Sequence, residues 1–406
     1  MDIEKPLTLL GGLSPSKFMH RYWQKKPLLV RGAFDPVAPI SHKELFALAA
    51  RDDVESRLIE QVQSGKRAKS RTGAKEESQG WSLRHGPIAR SALPPLNRPR
   101  WTVLVQGADL HHDGVHALMR QFNFLPDARL DDLMISYASD QGGVGPHFDS
   151  YDVFLLQMTG QRQWSIGRQR GKHNKELLPD MPVKILAHFE PEETFVVNPG
   201  DLLYLPPHYA HDGVAVGGAC TTYSVGLRCP ERGELGAELL ARIAEDYAQE
   251  LEEIDDAGRA VHPSVRYSDP TQSAVHTSAA IPMALQKFAR QALEAALRDP
   301  DALARALGQS LTEPKPRVIF EPAGELCAKA PGAWREMTLD RRTHMLYDKR
   351  HIYINGEAFR ASGRDARLMR HLADTRTLDA AALAKASPEA LALLADWCEA
   401  GWLQGG

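Results

Sequence analysis

The chain has 406 residues, enough at about 100–200 residues per domain for two to four domains with a sizeable core. Its 49 Lys+Arg against 52 Asp+Glu leave a net charge of −3, which gives no global field for nucleic acid. Hydrophobic residues at 43% and charged residues at 25% exclude whole-chain disorder.

No apolar run approaches the ~20 residues needed to span a bilayer, and MDIEKPLTLLGG at the N-terminus lacks the regions of a signal peptide. Cys220, Cys229, Cys327 and Cys398 are widely spaced without a CxxC pair, which argues against a disulfide scaffold or a cysteine zinc site. The expectation is a soluble cytoplasmic protein, with no membrane partner.

In chain order, Lys26 to Phe34 predicts a strand ending at a glycine turn, and Ser41 to Asp53 an N-capped helix. Gly65 to Gly80 is polar and carries Lys66, Arg67, Lys69, Arg71 and Lys75; it reads as a solvated loop, with a nucleic-acid contact as the second reading. From Trp101 to Arg228, short β-branched and aromatic runs alternate with GG, GD, NPG and LPP turns. Many short strands without intervening helices predict a barrel or sandwich, so the fold class is mainly β.

After Cys229-Pro230 the texture becomes helical. Leu235, Leu239, Ile243, Tyr247, Leu251 and Ile254 recur at helical spacing, and Leu285, Phe288, Leu293 and Leu297 form a second face. These faces predict a dimerisation region over 231–300, between a catalytic domain at 1–230 and a C-terminal domain at 301–406. In the last of these, two β-like stretches in MLYDKRHIYINGEAF precede three short helical patterns, as in a winged helix. Its Arg residues form no dense basic face, so direct nucleic-acid binding is left open.

Three His-x-Asp/Glu triplets offer metal ligands, since residues i and i+2 of a strand share one face. His111-His112-Asp113 opens a helical pattern in which Asp113 is the natural N-cap. His188-Phe189-Glu190 lies in an acidic loop. His147-Phe148-Asp149 sits where a glycine-rich approach enters an alternating strand, so that His147, Asp149 and Tyr151 face inward together. Fifty residues on, NPGDLLYLPPHYAHDG combines a tight turn, a short strand and a proline break that delivers a histidine, with His208 and His211 in competition.

The segments DDLMISYA, GGVGPHFDSYDVFLLQMTGQRQWSIG, PGDLLYLPPHYAHDG and TTYSVGLR resemble those of the JmjC-type 2-oxoglutarate oxygenases. More narrowly, the chain resembles the bacterial ribosomal-protein arginine hydroxylases. The resemblance implies a double-stranded β-helix (cupin/JmjC) barrel with Fe(II) held by His147, Asp149 and His211. The same resemblance implies that 2-oxoglutarate is the cosubstrate. Arg162, fifteen residues beyond His147, stands where JmjC members place the cation for the C5 carboxylate, and a guanidinium suits bidentate capture of such a group. Ser136 is the implied hydroxyl partner, and Arg228 the alternative cation.

If Ser136 faces inward, so do Met134 and Asp132. Asp132, Tyr151 and Ser224 then form a recognition set for an arginyl side chain. The function expected is hydroxylation of an arginine β-carbon in a large-subunit ribosomal protein, by a homodimer. A non-oxidative metal cupin, acting as an isomerase or as a ligand sensor through its C-terminal domain, is the alternative, and it has no use for a buried Arg162. A structural dimeric scaffold leaves the ligand candidates unexplained.

Overall fold

The computed structural model describes residues 2–63, 79–168, 176–252, 265–321 and 334–405. The basic residues between Lys66 and Lys75 lie outside them. Two units follow one another, Met1–Cys229 and Pro230–Gly406.

Ten strands build the first unit: β1 (Leu28–Val30), β2 (Ser56–Gln63), β3 (Gln79–His85), β4 (Trp101–Val105), β5 (Leu130–Ala138), β6 (His147–Phe148), β7 (Val153–Arg168), β8 (Glu193–Val197), β9 (Leu202–Leu205) and β10 (Tyr209–Leu227). They form one sheet in the order β1-β9-β7-β10-β5-β4-β2-β3, with β6 added on β10 and β8 on β7.

Two long strands fold this sheet on itself. The first half of β7 pairs with β9 and its second half with β8. Likewise β10 pairs with β6 near His211 and with β5 further on, while running along β7 throughout. The β7–β10 register shifts between Val216 and Thr221, opposite Gly160. Gly160 has φ +62°, and a Cβ there would lie 2.2 Å from the Ala219 carbonyl oxygen, so the corner admits only glycine. The result is a double-stranded β-helix.

Strand alternation separates two interiors. Phe154, Leu156 and Met158 of β7 enter the main core with Phe18, Phe46, Trp101 and Phe122, whereas Val153 and Leu155 face the cavity. Helices α1 (Pro15–Arg21) and α2 (His42–Ala49) cover the core side. The expected helix after Ser41 is present with a full capping box between Ser41 and Glu44, a device worth about 1 kcal/mol.

Helix α3 (Asp113–Met119) corrects one expectation. Its N-cap is His112, whose Nδ1 accepts the Gly114 amide at 3.1 Å, and Asp113 is already the first helical residue. An imidazole nitrogen can fill the capping role that sequence reasoning reserved for a carboxylate. The antiparallel pairing of β2 with β3 was not foreseen, because neither segment flanking the polar Gly65–Gly80 stretch was assigned to a strand.

The second unit begins with α4 (Arg232–Glu252), α5 (Met283–Ala296) and α6 (Ala302–Thr312). Leu239 and Ile243 of α4 pack on Ala302 and Ala306 of α6, while Ile254 lies outside the described residues. On α5 the apolar stripe is largely open: Met283 is 77% and Leu293 63% exposed.

Then come β11 (Glu336–Leu339), β12 (Met345–Tyr347), β13 (His351–Ile354), β14 (Glu357–Arg360), α7 (Gly363–Thr375), β15 (Thr377–Asp379), α8 (Ala380–Leu383), α9 (Pro388–Glu399) and β16 (Leu403–Gly405). Two three-stranded sheets, β15-β11-β16 and β12-β13-β14, surround a core containing Met337, Ile352, Leu372 and Trp397. Met345 to Phe359 holds three strands rather than two, because Asn355-Gly356, both at positive φ, makes a second turn. No helix of the described residues is long and apolar enough to cross a membrane.

Candidate metal centre and cosubstrate pocket

The inward face of the β-helix encloses a cavity of about 520 Å³. His147 on β6 pairs directly with His211 on β10, which brings the histidine of the triplet and that of the turn–strand–proline motif side by side. Their ring centroids are 4.3 Å apart. His211 Nε2 lies 3.7 Å from Asp149 Oδ2, and ligand atoms of all three residues fall within 4.8 Å of one another. The strand carrying the triplet stops at Phe148; Asp149 and Tyr151 lie in a bend before β7, which leaves them on the cavity side.

Both imidazoles are oriented through their far nitrogen. His147 Nδ1 meets the Gly145 carbonyl at 2.8 Å and His211 Nδ1 the Tyr209 carbonyl at 3.0 Å. A carbonyl accepts only, so Nδ1 carries the proton and Nε2 keeps its lone pair. Burial, and then the adjacent His147, push His211 down to about 4, so its ring is neutral as a metal ligand must be. Two imidazoles and one carboxylate on one side of a cavity fit a divalent iron with open positions.

His208 is exposed and stands outside this cluster, at positive φ, with its amide donating to the Asp149 carbonyl at 2.8 Å. Among the described residues, neither His111 nor His188 belongs to this cluster.

Arg162 is 3% exposed. Its Nη1 donates to Ser136 Oγ and to Thr222 Oγ1, both at 3.1 Å, and its Nη2 to the Gly213 carbonyl at 3.1 Å. Trp164 lies under the guanidinium at 5.0 Å. Every one of these partners is neutral, Nε has no partner, and among the described residues no carboxylate forms an ion pair with it. A buried cation held by hydroxyls and a carbonyl fits an anionic ligand in the same cavity. Arg228, the alternative, lies 3.7 Å from Asp131.

Asp132, Met134 and Ser136 line the cavity together, as alternation along β5 predicts. Asp132 is buried, and its Oδ2 accepts from Gln106 Nε2 at 2.8 Å and from the Gly107 amide at 2.9 Å. Ser224 is buried on β10 opposite Met134. Tyr151 stands at the rim; burial, then the Asp149 and Asp132 carboxylates, push its phenol up, so it stays protonated.

Sequence reasoning missed Thr222, Gln106 and Arg57. Thr222 was findable, because it precedes Ser224 by two positions on one strand and shares its face. Gln106 and Arg57 come from the end of β4 and from β2, and no motif marks them.

A double-stranded β-helix with this metal set and a buried arginine beside it defines a JmjC-type 2-oxoglutarate oxygenase. The JmjC domain pattern matches residues 117–235, and that of the ROXA-like winged helix matches residues 295–404.

Within that class, the chain belongs to the ribosomal oxygenase family. It is 33% identical over 310 residues to the ribosomal protein uL16 3-hydroxylase of Escherichia coli (strain K12), covering 75% of this chain and 73% of that one. Against a probable ribosomal oxygenase of Haemophilus influenzae it is 34% identical over 225 residues, 55% of this chain and 52% of the other. The X-ray structure of E. coli ycfD superposes with a TM-score of 0.77 at 28% identity, over 97% of this chain and 98% of that one. The E. coli YcfD complex with cobalt and 2-oxoglutarate gives 0.70 at 30% identity, over 96% and 98%.

Proposed function

We propose that this protein is an iron(II)- and 2-oxoglutarate-dependent hydroxylase of a large-subunit ribosomal protein of the uL16 type, and that it acts on the β-carbon of an arginine. The observation that carries the reading is a buried, carboxylate-free Arg162 in the cavity that holds His147, Asp149 and His211. A non-oxidative cupin has no call on such a cation.

When bound, iron(II) would couple the oxidation of 2-oxoglutarate by dioxygen to that of an unactivated C–H bond, one oxygen atom entering succinate as carbon dioxide is lost and the other entering the substrate. His147, Asp149 and His211 hold the metal from one side. Arg162, steadied by Ser136 and Thr222, binds the far carboxylate of 2-oxoglutarate. Asp132 pairs with the substrate guanidinium, Tyr151 offers its ring at the rim, and Ser224 contributes a hydroxyl. A guanidinium anchored at its tip keeps the side chain extended, which fixes the position of the β-carbon, next to the substrate backbone, relative to the metal ligands. Lysine lacks the planar two-point contact.

After this catalytic domain at 1–230, residues 231–300 serve as a helical dimerisation region and 301–406 as a winged-helix-like domain. The open apolar stripe of α5 supports a homodimer, because such surface is costly to leave in water. A ribosomal substrate and the lack of a membrane-spanning helix among the described residues support a cytoplasmic location. The test is hydroxylation of recombinant uL16 by the iron-loaded protein with 2-oxoglutarate, mapped by tandem mass spectrometry. Modification of arginine at its β-carbon is the expected result, and an unmodified substrate overturns the reading.

A further inference from the structure

Gln106 bridges two opposite charges in the wall of the cavity. Its Oε1 accepts from Arg57 Nη2 at 2.9 Å, and its Nε2 donates to Asp132 Oδ2 at 2.8 Å. Because a guanidinium only donates, Arg57 fixes which end of the amide is oxygen, and the NH₂ group must then face Asp132. The backbone of Gln106 is itself anchored, its amide donating to the Glu55 carbonyl at 2.9 Å. Arg57, Gln106 and Asp132 all line the cavity. Arg57 also reaches Met134 Sδ at 3.9 Å, so it lies along the same wall as the acid.

A cationic substrate entering here meets an unusual arrangement. An arginine already belongs to the site, and a direct pair between it and Asp132 would neutralise the carboxylate that the substrate needs.

We propose that Gln106 is a specificity-positioning residue: it engages Arg57 through a neutral oxygen and orients Asp132, so that the carboxylate's charge is kept for a substrate guanidinium. This inference rests on the assignment of Asp132 to substrate recognition made above. It differs from that assignment in predicting a rescue, since removing Arg57 as well should relieve the loss of Gln106. The Gly107 amide, at 2.9 Å from Asp132 Oδ2, still holds the acid in both variants.

The experiment compares binding of two uL16 peptides, one with the target arginine and one with citrulline in its place, to the manganese-loaded protein with 2-oxoglutarate. Citrulline keeps the planar shape and loses the charge, so the affinity ratio reports recognition of charge. In Gln106→Met this ratio should fall by roughly tenfold, the scale of one charge-assisted contact. In Gln106→Met/Arg57→Met most of it should return. Arg57→Met alone should keep the ratio at or above that of the parent protein, which gives a readout even where the Gln106 variants fold poorly.

An unchanged ratio in Gln106→Met, a loss that the second substitution does not relieve, or a loss in Arg57→Met alone overturns the proposal. Asp132→Asn separates the two levels. If it leaves the ratio intact, the substrate assignment itself is wrong; if it abolishes the ratio while Gln106→Met does not, only the positioning role fails.

Discussion

Arg162 and Gly213 fit together at a single point. Arg162 Nη2 donates to the Gly213 carbonyl at 3.1 Å, and a Cβ on Gly213 would lie 2.7 Å from Arg162 Nε and 2.5 Å from the Trp164 ring. The glycine of the HDG triplet therefore makes room for the guanidinium and its aromatic support, two residues beyond His211 on β10. Gly213→Ala should weaken 2-oxoglutarate binding by roughly tenfold or more through displacement of Arg162. Isothermal titration with manganese-loaded protein checks this, and wild-type affinity contradicts it.

Removal of the guanidinium itself should cost more. Arg162→Ala is expected to lose about 2–4 kcal/mol of 2-oxoglutarate binding, roughly 30- to 1000-fold in affinity. Arg162→Lys should recover only part of it, because an ammonium cannot reproduce the forked contact. Arg228→Ala, at a surface pair with Asp131, should stay within about twofold of the parent.

Metal binding separates the histidines. His211→Ala should abolish manganese binding and turnover, since it removes one of three ligands. His208→Ala and His111→Ala should retain both. Loss in His208→Ala with retention in His211→Ala reverses the assignment.

Much of this site was legible in the sequence. The spacing His147-x-Asp149 and the turn–strand–proline break before His211 pointed to ligands from two strands, and β6 does pair with β10 at those histidines. The family resemblance added Arg162 and Ser136, and β5 alternation added Asp132; all three line one cavity. What stayed hidden depends on contacts between distant segments. Gln106 gains its meaning only because β2 and β5 bring Arg57 and Asp132 to it, partners 49 and 26 residues away. The cap at His112 was misread for a local reason: imidazole and carboxylate both accept an amide, and residue preference alone favours the acid.

Assembly gives a separate test. With Met283 and Leu293 at 77% and 63% exposure on α5, the protein should be a dimer at micromolar concentration by light scattering. Met283→Asp/Leu293→Asp should shift the mass toward a monomer, with circular dichroism unchanged. A monomeric parent protein refutes the dimer.

The central claim is hydroxylation of an arginine in a ribosomal protein, and one measurement addresses it directly. Large-subunit ribosomal proteins from cells with and without this protein are compared by tandem mass spectrometry, with a strain carrying Asp132→Ala alongside. A one-oxygen mass increase on a single uL16 arginine, assigned to its β-carbon, is expected in the parent strain and should be lost or strongly reduced in the other two. An increase that maps to a residue other than arginine, or identical spectra from all three strains, contradicts it.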